Sequence, residues 1–184
     1  LPQAQHKATS PTRKPLYAMT YTLETHKWII DEKKHLGFVG INIYQNPKNE
    51  FDIMESINQG LLIDGHFARE IEMNPTPSAV YGAINLDGLE ESDFIECDNQ
   101  KLEDCYNKYW SDNNWGADLD VFKKHKILVD DYLKDINFHS DRHFFICQEW
   151  LSKDKYVNLN FFAYLVCVIS ISSDKIAVIT YGED

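Results

Sequence analysis

From residue 158 to residue 181 the chain is apolar on both alternating faces, with one break. Residues 161–171 are nearly all apolar or small, Ser172-Ser173-Asp174-Lys175 interrupts, and residues 176–181 are apolar again. Val166, Val168, Ile169, Ile171, Ile176, Val178 and Ile179 are β-branched, which suits a pleated surface, and the interruption carries turn residues. The pattern predicts two strands joined by a tight turn, covered on both sides and lying centrally in a sheet. A short buried helix over 161–169 is the competing reading, since periodicity alone does not separate the two.

Upstream, residues 20–30 and 37–44 are β-branched, apolar-rich runs around the charged Asp31-Glu32-Lys33-Lys34-His35, which predicts a second hairpin. After the turn signal Asn46-Pro47-Lys48-Asn49, Phe51, Ile53, Met54, Ile57 and Leu61 recur at helical spacing and predict a short amphipathic helix. Residues 66–73 and 79–86 read as two further strands around Asn74-Pro75-Thr76-Pro77. From Asp98 the period becomes helical: Leu102, Cys105, Tyr106, Tyr109 and Trp110 share a stripe, and Asp98 is placed to cap the first turn. A second helix follows Asp118 or Asp120, with Leu119, Phe122, Val129, Leu133 and Ile136 on one face. Residues 143–150 return to strand-like composition. Strands, then helices, then strands predict an α+β domain: a mostly antiparallel sheet with the C-terminal hairpin at its centre and about three helices packed on one face.

Residues 1–18 stand apart. They hold Pro2, Pro11, Pro15, Lys7, Arg13 and Lys14 and no acid, a composition that buries too little apolar surface to offset its ordering entropy. They read as a basic extension to a single domain over residues 19–184, and Met19 has the look of a natural start.

Charge changes the picture most. The chain has 29 acidic residues against 18 basic ones, for a formal net charge of -11 and a pI near 5.0. Between Asp87 and Asp120 eleven acids face only Lys101 and Lys108, so this segment carries nine of the eleven net negative charges. Such a chain is repelled by nucleic acid and by anionic membranes, and it favours a basic partner. The same segment holds Tyr106, Tyr109, Trp110 and Trp115, and aromatics beside carboxylates are the ingredients of an electrostatically steered protein interface. Asp98, Glu103, Asp104, Tyr109, Trp110, Asp112 and Trp115 are therefore the expected partner-binding residues. The bland alternative is a solvated charged face over a helix whose aromatics belong to the core.

Motifs add little. His139-Ser140-Asp141-Arg142-His143 is the one local cluster of catalytic residue types, and two histidines four apart with Cys147 four further on invite comparison with a metal site. The HExxH pattern is missing, and on a strand positions four apart are well over 10 Å from each other. Asp64 with His66, or Asp130 with Asp131, are conceivable acid–base pairs that no spacing selects. No GxSxG, Walker A, GxGxxG or EF-hand pattern occurs, and no cofactor or metal is implied. The four cysteines, Cys97, Cys105, Cys147 and Cys167, form no CxxC pair and read as reduced and structural, in a cytoplasmic setting, with a Cys97–Cys105 bridge as the lesser reading.

The expectation that joins these features is an acidic, stoichiometric binding protein that neutralises a basic partner, in character an immunity or antitoxin protein against a bacterial nuclease-like toxin. The alternative is a small hydrolase or metal-dependent enzyme built around His139, Asp141 and His143.

Overall fold

The computed structural model describes residues 21–30, 37–46, 50–62, 80–81, 84–111, 119–155 and 164–183. The basic extension 1–18, the strand expected at 66–73, and Asp64, His66, Asp112 and Trp115 lie outside the described residues.

Six strands form one sheet. They are β1 (Leu23–Ile30), β2 (Phe38–Gln45), β5 (Ile95–Cys97), β6 (Arg142–Cys147), β7 (Tyr164–Ile171) and β8 (Lys175–Glu183). Their spatial order is β1-β2-β8-β7-β6-β5, and every neighbouring pair is antiparallel. The C-terminal hairpin β7–β8 sits at the centre, as the doubly apolar pattern requires, and its turn closes where Ser172 N donates to Lys175 O at 2.9 Å. Two residues on each side, β3 (Val80–Tyr81) and β4 (Ile84–Asn85), make a separate small ribbon within 79–86, where a single strand was expected.

The sheet is covered on both faces. Val166, Val168, Ala177, Ile179 and Tyr181 point to one side, where they meet α2 (Asn99–Ser111) and α3 (Leu119–Asp135) through Tyr106, Tyr109, Phe122 and Val129. Cys167, Ile169, Ile171, Ile176 and Val178 point to the other, against α1 (Ile53–Asn58), Leu61, Leu62 and the small ribbon. The α+β class and the central hairpin stand. Among the described residues, however, the three helices divide two to one between the faces, because residues 53–62 bury their stripe on the side opposite to α2 and α3.

Local signals account for the helix starts. Asp52 caps α1 by accepting from Glu55 N at 2.7 Å, and Asp98 caps α2 by accepting from Lys101 N at 2.9 Å. All four cysteines are free and buried. Burial pushes Cys97, Cys147 and Cys167 up to about 12, so at neutral pH they are protonated packing groups. No helix among the described residues is long and apolar enough to cross a membrane.

Candidate functional site

The helical face is not closed. α2 and α3 leave between them a cleft of about 900 Å³ floored by Val168, Ile179 and Tyr181 of the sheet. Its two ends differ in chemistry.

At one end Lys126 of α3 reaches over the Tyr106 ring, 5.7 Å from its centroid, and pairs with Glu103 of α2 at 2.8 Å and Asp130 of α3 at 2.7 Å. Burial alone lowers the affinity of Lys126 for its proton, but hydrogen bonds to Asp130 and Glu103 outweigh it and raise its pKa above the ordinary lysine value. One cation thus serves two carboxylates that are themselves 46% and 57% exposed.

At the other end stand His139, Asp141 and His143, with Asn99 and Ser170. His143 Nδ1 lies 2.8 Å from Ser170 Oγ and Nε2 lies 3.0 Å from Asn99 Oδ1. Asn99 Nδ2 donates to Ser140 O at 3.1 Å, which turns Oδ1 toward the imidazole. Nε2 therefore carries the proton, and Nδ1 accepts the Ser170 hydroxyl. Burial holds His143 below the ordinary histidine value, against the pull of Asp141 and Asp98.

The chain of hydrogen bonds ties β6, β7 and the start of α2 together, and it occupies both ring nitrogens. His139 and Asp141 are exposed in the loop before β6, while His143 is buried in the strand. The cluster thus shares a cleft without converging as a ligand set. Among the described residues no group of three or more His, Cys, Asp or Glu side chains is gathered as metal ligands would be. Asp130 and Asp131 part company, since Asp130 turns to Lys126 and its neighbour does not.

The expected docking residues fare unevenly. Glu103 lies at the cleft mouth. Asp98 and Asp104 are both exposed, but Asp98 spends one oxygen on the α2 cap and Asp104 takes Gln100 Nε2 at 3.4 Å. Trp110 stacks on Tyr106 with centroids 5.6 Å apart, and its indole Nε1 is buried without a hydrogen-bond partner among the described residues. Tyr109 needs correcting: at 2% exposure it packs edge-on against Phe122 inside the core and has no surface to offer.

The acidic run is not a bare negative face either. Lys155 clasps Glu90 and Asp93, Arg142 pairs with Glu96 at 2.6 Å, and Lys126 takes Glu103. Sequence reading missed these cations because all three come from beyond the run. It also missed Asn99 and Ser170, although Ser170, a lone hydroxyl in the apolar run 165–171, and His143, at the edge of the apolar run 144–147, were the available signal.

Together the fold and the cleft define a small acidic α+β domain with a two-ended groove between two helices and a six-stranded sheet. Comparison of the chain with models of known protein families, with curated proteins and with solved structures finds no match in any of the three.

Proposed function

We propose that the protein is a stoichiometric binding protein that docks on a basic protein and occludes it. In character it is a cytoplasmic immunity or antitoxin protein acting on a bacterial nuclease-like toxin. The single observation that supports this is the way cations are shared. Lys126 serves Glu103 and Asp130, Lys155 serves Glu90 and Asp93, and Arg142 serves Glu96, so three cations answer five carboxylates. Each shared clasp leaves one carboxylate charge uncompensated and partly in solvent, where it attracts a lysine or arginine from outside.

The α2–α3 groove is the docking place this reading favours. Glu103 and Asp130 line it as acceptors for a partner's cation, and Trp110, half-buried and stacked on the groove-lining Tyr106, supplies aromatic area beside it. A nuclease surface built to hold phosphate carries the complementary charge, so occupying it competes with nucleic acid.

The test is co-expression with the product of the adjacent gene, followed by association kinetics on the purified pair. A tight one-to-one complex with a basic protein, slowed tenfold or more by Glu103→Lys with Asp130→Lys and increasingly by salt, is the expected result. A complex indifferent to both substitutions removes the groove from the interface, and failure to bind any basic neighbour removes the reading.

A further inference from the structure

The outward face of α3 poses a separate question. Ile127 and Leu128 are the two exposed large hydrophobic residues among those described, at 60% and 47%. They sit side by side at the middle of a helix whose opposite face buries Val121, Phe122, His125 and Val129. Around them the charges are ordered. Lys124 lies three positions before Ile127, and Asp131 lies three positions after Leu128. Both are exposed, and neither makes an ion pair among the described residues.

This order does not help the helix itself. The macrodipole is already served by Asp120 in the first turn and Lys134 in the last, and Lys124 and Asp131 lie inside those turns, where its influence has fallen off. Lys124 and Asp131 are two turns apart, roughly 10 Å along the axis, so they do not neutralise each other either. The stripe is instead complementary to its own reverse.

We propose that this face of α3 is a dimerisation surface whose occupant is a second copy of this chain, bound antiparallel about a two-fold axis that passes between Ile127 and Leu128. In that arrangement Ile127 of each copy packs on Leu128 of the other. Lys124 of each copy then meets Asp131 of the other, so the ion pair forms twice by symmetry. The two macrodipoles also run in opposite directions. Asp120 and Asp135, which this register sets toward each other, stay apart when the helices cross at about 50°, the common angle for ridges packed into grooves. Only the central two turns then touch, and a contact of that size gives a weak, reversible dimer with a Kd on the order of 100 µM.

Sedimentation equilibrium of the full chain alone tests this, without any basic partner. The wild type is expected to be a monomer–dimer equilibrium, with Ile127→Ser weakening it about tenfold. Lys124→Asp places acid opposite acid, and Asp131→Lys places lysine opposite lysine, so each variant alone is expected to be monomeric. An equimolar mixture of the two restores both ion pairs in a heterodimer, and association is expected to return to within a few-fold of wild type. All three positions are exposed, and unchanged far-ultraviolet circular dichroism confirms that the variants are folded. A wild-type chain that stays monomeric, single variants that dimerise as well as wild type, or a mixture that fails to associate would each overturn the proposal.

Discussion

His143 and Ser170 stand directly opposite each other on β6 and β7, and the imidazole Nδ1 takes the serine hydroxyl at 2.8 Å. Because burial holds His143 below its ordinary value, the unfolded chain binds this proton more readily than the folded one as pH falls below about 6.5. Stability from this group is therefore present above 6.5 and is lost as the pH falls toward the lowered folded value. The slope is at most about 1.4 kcal/mol per pH unit. Urea midpoints between pH 5 and 7.5 should show this limb, and His143→Gln should abolish it. An unaltered limb in the variant would mean that another group produces it and that the fold does not change the proton affinity of His143.

Glu149 works in the opposite direction. It lies in the 3-10 turn after β6, one carboxylate oxygen is buried without a partner among the described residues, and burial raises the group to about 7. Here the folded chain holds the proton more tightly between the ordinary carboxylate value and about 7. The favourable contribution is complete in mild acid and is lost as the pH rises through about 7. Half-exposure discounts the full linkage to about 1–2 kcal/mol. Glu149→Gln should remove this falling limb and leave the His143 limb in place, read from the same urea midpoints.

How much of this was legible in the chain depends on the range of the interaction concerned. The β7–β8 hairpin and the α2 cap are local, so β-branching around Ser172-Ser173-Asp174 and an aspartate before a helical stripe were enough to place them. The Tyr106-Tyr109 stripe was visible as a helix face, but whether it looked to core or to solvent depended on the sheet beneath it. The acidic run was read as a bare surface because its counter-charges, Lys126, Arg142 and Lys155, are long-range partners that no window over residues 87–120 contains. His143 was singled out for its neighbours in sequence, while its real partners, Asn99 and Ser170, are 44 and 27 positions away.

Gly182 is required by a close approach. It lies opposite Phe38 in the β2–β8 register, and a Cβ at that position would run into the Phe38 ring. The ring has little freedom to yield, being buried and stacked on Trp28 with centroids 4.8 Å apart. Gly182→Ala should cost about 1–3 kcal/mol through overpacking. Phe38→Leu in the same chain should recover part of that loss, so the double mutant is less destabilised than the sum of the singles. Simple additivity in thermal or urea unfolding would show that the ring is not what the methyl group meets.

Lys126 separates what the α2–α3 groove does for the fold from what it does for a partner. Removing the charge in Lys126→Met leaves Glu103 and Asp130, both near the same Nζ, facing each other from two helices without a cation between them. Since both carboxylates are half-exposed, the loss should be modest, about 1 kcal/mol, and partly recovered in molar salt, which screens the repulsion. If the groove receives a lysine or arginine from a basic protein, the same substitution should tighten that complex, because the incoming cation then answers two bare carboxylates instead of competing with a resident one. Lower stability together with higher affinity is the expected signature. A variant that loses both in equal measure would mean that Lys126 holds the groove in shape and that the acids beside it are not the docking site.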